Sequence, residues 1–248
     1  MPRRAAAALL PVLALAVLWE GAVRLFGISP FYLPPLSAVL GTIAASAPAF
    51  RDAFLTTLAE AATGYAAGAL VGVASGIVFA HGRWLREMFF PLFVVSQTVP
   101  VIAFGAIVVL WFGNTLLAKA AIAFYLTFFP VTVNTLVGLT AVDPRQVALL
   151  RSFGATTRQL LWTLRFPAAL PRIFVALRLS AALALVGAMV GEWFGATTGI
   201  GVMLLQAMFN EQVPALWASI LSAAALGTAL YAVIAAAERR LVFWKEEL

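Results

Sequence analysis

The fold is decided by a stretch without any charged side chain at residues 61–82, AATGYAAGALVGVASGIVFAHG. Its 22 residues lie between Glu60 and Arg83. An α-helix needs about 20 predominantly apolar residues to cross the hydrocarbon core of a bilayer. Similar uncharged runs fill residues 120–142 and 212–237. These stretches therefore predict membrane-spanning helices.

The composition of the whole chain agrees with a membrane protein. Of its 248 residues, 63% are hydrophobic and 10% are charged, whereas about 25% of the residues of a soluble domain are charged. The mean hydropathy is +1.01. Such a chain has too few polar side chains to cover a globular core, which excludes a water-soluble enzyme. We predict an all-α, polytopic membrane helix bundle.

The residue inventory excludes several kinds of catalytic site. The sequence has no cysteine, which removes disulfides, zinc–thiolate sites and iron–sulfur clusters. The single histidine, His81, cannot build a metal centre alone, and it is too offset from Ser75 on one helix to form a hydrolase pair. Neither lysine belongs to a GxxxxGK[ST] phosphate loop. We expect no enzyme activity, no metal site and no cofactor bound by this chain.

Six helices are predicted to cross the membrane. Their ranges are residues 5–26, 58–81, 89–112, 117–139, 173–194 and 214–237. The first range follows Arg3 and Arg4 as in a signal peptide, but no convincing small-residue cleavage site follows, so we interpret it as an uncleaved helix. Pro100 is expected to kink the third helix. The proline-rich residues 27–51 are interpreted as an interfacial loop with a short helix.

The basic residues orient these helices. With the amino terminus inside, Arg24, Arg51 and Lys119 lie outside, which leaves 13 of the 16 basic residues on the cytoplasmic side. This asymmetry is the one that the positive-inside rule describes. The net charge of +6 is therefore interpreted as membrane topology rather than as nucleic-acid binding. Both termini are predicted to be cytoplasmic.

Glycines form a stripe in the second predicted helix, at Gly64, Gly68, Gly72 and Gly76. Their i,i+4 spacing places them on one face of the helix. A face without side chains lets another backbone approach closely. Close packing inside the bundle and a smooth surface on which subunits rock both agree with this pattern.

The most polar section of the chain, residues 143–172, separates the fourth and fifth predicted helices. Its first half has apolar side chains at helical spacing before Gly154, namely Leu149, Leu150 and Phe153. Thr156 is suited to cap a second short helix, which we expect Pro167 and Pro171 to end. Two amphipathic helices hinged at a glycine need a protein partner or a lipid surface to cover their apolar faces.

This section resembles the signature loop of binding-protein-dependent ABC importer permeases. That signature reads roughly EAA, three residues, Gly, nine residues, Ile, one residue, Leu-Pro. Gly154, Leu164 and Pro167 are in register with it, and Phe166 replaces its leucine. Ala148 stands where the family usually has glutamate, and two leucines replace its alanines, so the motif is degenerate.

Further segments resemble the nitrate/sulfonate/taurine-type branch of that family. They are residues 33–39 (LPPLSAV), 110–113 (LWFG), 154–155 (GA), 167–171 (PAALP) and 191–193 (GEW). Residues 96–101 (SQTVPV) and 128–134 (FFPVTVN) are most similar to permeases for thiamine-precursor pyrimidines and riboflavin. Permeases for aliphatic sulfonates, taurine or nitrate are the alternative.

The resemblance implies a type I ABC importer permease fold, with residues 1–248 as one transmembrane permease domain in a prokaryotic inner membrane. A separate cytoplasmic ABC ATPase dimer would hydrolyse the ATP, and an extracytoplasmic binding protein would deliver the substrate. A second permease copy, in a homodimer, would complete the pathway. The residues expected to couple the chain to the ATPase are Ala148, Leu149, Leu150, Phe153, Gly154, Ala155, Leu164 and Pro167.

Polar residues within the predicted spans are candidates for the translocation pathway, because polar groups are costly in a bilayer. They are Gln97, Thr98, Asn134 and Glu192. Gln97 and Asn134 also fit hydrogen bonds between helices, and Glu192 also fits the membrane surface. The alternative class is an ion-gradient-driven secondary transporter. It is disfavoured because the sequence has no internal repeat and the middles of the second, third, fourth and sixth helices lack carboxylates.

Overall fold

The computed structural model describes residues 2–244, and the side chains of residues 10–244. Arg3, Arg4 and Lys245, which the predicted orientation places in the cytoplasm, lie outside the described side chains. The described chain is divided into two compact units. The first contains the described residues up to Thr56 together with Thr197–Ala225, and the second contains Thr57–Ala196 together with the described residues from Leu226 onward.

All regular secondary structure of the described residues is helical. In chain order the α-helices are α1 Pro2–Leu25, α2 Leu36–Ala45, α3 Ala47–His81, α4 Arg83–Ser96, α5 Val101–Phe112, α6 Leu116–Thr140, α7 Pro144–Ser152, α8 Thr157–Leu160, α9 Phe166–Glu192, α10 Ile200–Phe209 and α11 Val213–Leu241. A π-helical turn, Leu161–Arg165, joins α8 to α9.

Within the first unit, α1 is fastened to the loop that precedes α2. The Glu20 carboxylate accepts hydrogen bonds from the Ser37 backbone N–H at 3.1 Å and from its hydroxyl at 2.9 Å. Trp19 Nε1 donates to the Pro34 carbonyl at 2.9 Å, and its ring packs edge to face against Trp217. The predicted short helix of the proline-rich segment is α2, while α3 begins at Ala47, eleven residues before the predicted start of the second span at residue 58.

Within the second unit, α6 packs against both α3 and α9. Gly64 of α3 faces Ala120 and Ala123 of α6, and Gly187 of α9 lies against the Ala123 backbone. Residues of α3 with rising numbers meet residues of α6 with rising numbers, so these two helices run parallel. Because glycines face α6 from both sides, the three helices approach at backbone distance, as is typical of membrane bundles.

Four helical stretches of the described chain are long and apolar enough to cross a membrane. They are Ala47–His81, Leu116–Thr140, Thr157–Glu192 and Val213–Leu241. Helices α4 and α5 pass the same test together, although they are bent by 95°. The described chain therefore has four such stretches, or five if the bent pair counts as one, against the six predicted from the sequence. Helix α10, with ten residues, was not predicted.

Pro100 lies at a break between two helices, at the N-cap position of α5, rather than at a kink within one helix. The predicted third span is divided into α4 and α5, with residues 97–100 outside either helix. Proline lacks the N–H that a continuing helix needs, and it keeps the residue before it out of the α-helical region. The expectation of one kinked helix over residues 89–112 is therefore wrong.

The prediction that Pro167 and Pro171 end the second short helix is also wrong. Pro167 lies in the first turn of α9 and Pro171 lies inside it, and residues 157–192 are continuously helical. Proline is tolerated inside a helix where its missing N–H interrupts no regular i→i−4 hydrogen bond, a condition that a neighbouring turn with i→i−5 bonds can meet. The preceding turn is π-helical, and the Phe166 N–H donates to the Leu161 carbonyl five residues earlier. The helix thus continues past both prolines.

Candidate functional site

The polar section between α6 and α9 forms a ledge, which we define as residues 143–165. Its first helix, α7, begins with a complete cap. The Asp143 side chain accepts a hydrogen bond from the Arg145 N–H at 2.8 Å, and Pro144 occupies the first turn. Both are preferred at helix starts, because an oxygen at the cap satisfies a free N–H and proline has no N–H to satisfy. The position of α7 is therefore fixed by local sequence.

The two parts of the ledge meet at a left-handed turn. Gly154 has a φ of +82°, a conformation that glycine adopts without a steric penalty. Its N–H donates to the Arg151 carbonyl at 2.9 Å, and the Ala155 N–H donates to the Leu150 carbonyl at 3.0 Å. These bonds satisfy carbonyls at the end of α7. The hinge predicted at Gly154 is thus a closed, hydrogen-bonded turn.

Helix α8 begins with a capping box. The Thr156 N–H donates to Gln159 Oε1 at 2.8 Å, and the Gln159 N–H donates to Thr156 Oγ1 at 3.3 Å. This reciprocal pair satisfies two N–H groups at the helix start. The prediction that Thr156 caps a second helix is confirmed.

The ledge has a buried side and an exposed side. Leu160 and Leu161 are buried, and Leu161 packs against Leu139 of α6 and Ile173 of α9. Of the eight predicted coupling residues, Ala148, Leu149, Phe153 and Gly154 are exposed, whereas Leu150, Ala155, Leu164 and Pro167 are half-buried.

Phe153 is the most exposed of the large apolar side chains on the ledge, at 79%, and Leu149 follows at 58%. The sequence analysis did not single out Trp162, which is also exposed. A tryptophan beside Leu161 in an otherwise polar segment is the sequence pattern that could have identified it. The ledge therefore combines a firm attachment to the helix bundle with an uncovered apolar surface.

The glycine stripe of α3 faces α6 along its whole length. A Cβ atom at Gly64 would lie 2.3 Å from the Ala120 carbonyl oxygen, and one at Gly76 would lie 2.5 Å from the Thr135 Cβ. Cβ positions at Gly68 and Gly72 are similarly obstructed by α6. The structure therefore places all four glycines in a close helix–helix contact within this chain.

Two of the predicted pathway residues lie at the break between α4 and α5. Gln97 follows the last residue of α4, and its Nε2 is buried with no hydrogen-bond partner among the described residues. Thr98 is exposed, and its hydroxyl donates to the Val95 carbonyl at 2.8 Å. The Tyr125 hydroxyl of α6 donates to the Ser96 carbonyl, which ties the broken backbone to the bundle. Irregular backbone at membrane depth needs such partners.

The other two predicted pathway residues lie apart from that break. Asn134 Nδ2 donates to the Pro130 carbonyl at 2.9 Å, within its own helix α6. Glu192 is 1% exposed, at the end of α9. Its Oε1 accepts a hydrogen bond from the Thr57 hydroxyl at 2.5 Å. Of the four predicted pathway residues, Gln97 and Thr98 thus share the break between α4 and α5, as neighbours in the chain, and Glu192 lies in a separate buried cluster.

That cluster contains two further charged residues that sequence reasoning did not bring together. Lys119 Nζ lies 3.7 Å from Glu60 Oε1, and both side chains are almost completely buried. Lys119 also donates to the Asn114 side-chain oxygen, and the Asn114 amide donates to the Gly195 carbonyl. One sequence pattern could have predicted that these two charges lie at similar positions along their helices. Glu60 and Lys119 immediately precede the uncharged runs at residues 61–82 and 120–142.

Comparison with protein families gives one match over most of the chain. The profile of the binding-protein-dependent transport system inner membrane component matches residues 68–243. The matched range includes the glycines at positions 68, 72 and 76, the break between α4 and α5, and the whole ledge.

Individual relatives are similar over nearly their full length. The formylaminopyrimidine transport permease protein ThiX of Halalkalibacterium halodurans is 37% identical over 236 residues, 95% of this chain and 94% of that protein. The riboflavin transport system permease protein RibX of Chloroflexus aurantiacus is 32% identical, covering 95% of this chain and 90% of that protein. The taurine transport system permease protein TauC of Escherichia coli is 28% identical, covering 94% and 88%.

Proposed function

Because this chain belongs to the family of binding-protein-dependent transport system inner membrane components, we propose that its helices form the translocation pathway and that its ledge docks on the ATPase. The chain is a permease subunit of an ABC importer and a multi-pass inner-membrane protein. Membership of this class implies an ATPase and a substrate-binding protein as partners. We further propose that two copies of the chain form a homodimer around the pathway.

One observation carries the docking proposal, namely the continuous helical run from Thr157 to Glu192. It comprises 36 residues, so it begins on the ledge and crosses the membrane without a break. A rigid connection of this kind transfers movement of the ledge to the membrane helices, whereas a floppy loop would absorb it. Buried Leu161 attaches the ledge to α6 and α9. Exposed Leu149 and Phe153 supply the apolar surface for the partner.

The proposed orientation places the ledge in the cytoplasm, where the ATP is. The ledge contains Arg145, Arg151, Arg158 and Arg165. Arginines are retained on the cytoplasmic side of membrane proteins. Both termini are cytoplasmic in this orientation, and the break between α4 and α5 lies along the pathway.

Replacing Leu149 and Phe153 together by alanine is expected to weaken binding of the cognate ABC ATPase about 30-fold. Truncating two exposed anchors at a docking surface removes roughly 2 kcal/mol of binding free energy. Affinity is measured with purified permease in nanodiscs and the ATPase encoded beside it. The matched control is Phe153→Leu, which keeps an apolar side chain and is expected to bind nearly as well. Unchanged affinity of the double alanine variant would contradict docking at the ledge.

We propose a small, flat nitrogen heterocycle as the substrate, such as a thiamine-precursor pyrimidine or riboflavin. The relatives that carry these substrates in their names are 37% and 32% identical to the chain, against 28% for the taurine permease. The proposed pathway residues Gln97, Thr98 and Asn134 are uncharged and can form hydrogen bonds with a neutral heterocycle. Sulfonates, taurine and nitrate, all of which are anionic or zwitterionic, are the alternative.

The substrate proposal predicts ATP-dependent uptake of formylaminopyrimidine or riboflavin by proteoliposomes. The vesicles contain the permease and its ATPase, with the cognate binding protein outside. Taurine, an alkane sulfonate and nitrate serve as comparison substrates and are expected to accumulate no more than in vesicles without ATP. Uptake of one of these anions instead would overturn the substrate proposal. Uptake driven by an ion gradient in vesicles without the ATPase would overturn the ABC mechanism itself.

A further inference from the structure

A buried cluster of charged side chains joins three helices of the second unit. It consists of Glu60 on α3, Lys119 on α6 and Glu192 on α9, which are 3%, 5% and 1% exposed. Lys119 Nζ lies 3.7 Å from Glu60 Oε1. The Thr57 hydroxyl donates to Glu192 at 2.5 Å, and Asn114 accepts a hydrogen bond from Lys119. Helices α3, α6 and α9 thus each contribute one charged side chain to the same buried cluster.

The charges of this cluster do not balance if every group is ionised. The charged groups beside Glu60 are Lys119 from α6, 3.7 Å away, and Glu192 from α9, whose hydrogen-bond partner Thr57 lies one helical turn before Glu60 on α3. Two carboxylates and one ammonium give a net charge of −1. An unbalanced charge is very costly in a buried, apolar environment. Two adjacent carboxylates also repel each other, so the ionised pair is unfavourable.

The hydrogen bonds of Glu60 point to the same imbalance. Its Oε1 faces the Lys119 ammonium. Its Oε2 is buried and has no hydrogen-bond partner within the described part of the chain. Two ionised carboxyls are both acceptors, so neither can satisfy the other. A proton on Glu60 turns Oε2 into a donor toward Glu192 and brings the total charge of the cluster to zero.

We propose that this cluster is a proton-binding site, in which one proton held between Glu60 and Glu192 fastens α3 to α9 beside α6. The proton comes from solvent water as the chain folds. Glu60 is then neutral, and Glu192 and Lys119 carry opposite charges. The site concerns the stability of the helix bundle and does not depend on the proposed docking of the ledge or on the transported substrate.

The proposal fixes the sign of the dependence of stability on pH. In the unfolded chain a glutamate is ionised above about pH 4.3, so at neutral pH the native state binds one proton more than the unfolded state. Stability therefore falls as the pH rises from about 4.3 toward the pH at which the cluster releases its proton. Within this range the unfolding equilibrium constant is expected to rise about tenfold for each pH unit, as linkage requires for one proton, and above the pH of release it is expected to become constant.

The substitution Glu60→Gln replaces the bound proton by a neutral amide. Its Nε2 donates toward Glu192, and its oxygen still accepts from Lys119. We expect the variant to fold and to lose the tenfold change per pH unit that the wild type shows. Thermal unfolding in nanodiscs between about pH 5 and pH 9 measures this difference. Glu87→Gln is the matched control, since Glu87 is exposed and its ion pair with Arg83 lies on the surface. This control is expected to behave like the wild type.

Infrared spectroscopy tests the same proton without relying on unfolding. The wild-type chain is expected to show the carbonyl-stretch band of a protonated carboxylic acid at neutral pH, with a shift in heavy water. Glu60→Gln should lack this band, and Glu87→Gln should retain it. A wild-type chain without the band at neutral pH would overturn the proposal, even if the Glu60 variant failed to fold. A thermal midpoint that responds to sodium at fixed pH, instead of to pH, would also overturn it.

Discussion

The substitution Gly64→Ala is expected to destabilise the helix bundle strongly, although it adds only one methyl group. The new Cβ would lie 2.3 Å from the Ala120 carbonyl oxygen and 2.5 Å from the Ala123 Cβ. Neither atom can rotate away, because one belongs to the backbone and the other is fixed directly to it. Overpacking a close contact costs about 1–3 kcal/mol and occasionally more. We expect the upper end of this range, about 3 kcal/mol, because α3 and α6 would have to separate.

The matched control for that prediction is Gly41→Ala in α2. No heavy atom of the described residues, apart from the helix's own backbone and the chain neighbours, lies within 4 Å of a Cβ at Gly41. Alanine there is expected to leave stability unchanged or to raise it by roughly 0.5–1 kcal/mol, because glycine is the poorer helix former. The folded fraction and the thermal midpoint in nanodiscs measure both variants. Equal behaviour of the two would contradict the close contact between α3 and α6.

The pattern of this stripe shows what local sequence can and cannot predict. The four-residue spacing identifies a smooth face, since helical geometry fixes which residues share a face. It carries no information on which helix covers that face, because any small-residue helix could do so. The structure supplies the partner, α6, where Ala123 and Thr127 provide the complementary small surface.

The long helices could be predicted because uncharged runs of about 20 residues have few alternatives to a membrane span. Helix α10 is only ten residues long, too short to be recognised as a membrane span from its composition. The effect of proline was predicted poorly in both directions. Residues 97–100 separate two helices, whereas Pro167 and Pro171 lie within one continuous helical stretch. A proline in the sequence therefore does not by itself show whether a helix breaks there.

The ledge could be predicted from local sequence, whereas the buried charges could not, because their surroundings come from distant parts of the chain. The cap at Thr156 and the turn at Gly154 depend on residues within a few positions, so local sequence was sufficient. The surroundings of Glu192 depend on Thr57, 135 positions away in the chain. Its burial between helices could not be read from its neighbours in sequence. Charged side chains at the ends of uncharged runs therefore need a structure before they are assigned to the membrane surface.

Replacing Gly154 by valine is expected to uncouple ATP hydrolysis from transport. A left-handed φ, here +82°, costs an L-residue about 1–2 kcal/mol and is most unfavourable for a β-branched side chain. A penalty of that size lowers the equilibrium constant between the native turn and its alternatives about 5- to 30-fold. No described heavy atom outside the chain neighbours lies within 4 Å of a Cβ at this site, so the effect is confined to the backbone. Helix α7 would lose its fixed orientation, while the packing of α6 and α9 remains.

Proteoliposomes with the cognate ATPase and binding protein measure this uncoupling. We expect Gly154→Val to reach the membrane in normal amounts, to retain ATP hydrolysis and to lose up to about 30-fold in ATP-driven uptake, the full shift of that equilibrium. Gly154→Asn is expected to recover most of the uptake, because asparagine tolerates the left-handed conformation. Gly27→Val is the matched control, since Gly27 has a φ of +60° and equally open surroundings but lies outside the ledge. Equal loss of uptake in the Gly27 and Gly154 variants would show that backbone strain anywhere in the chain is sufficient. The ledge would then have no special part in coupling.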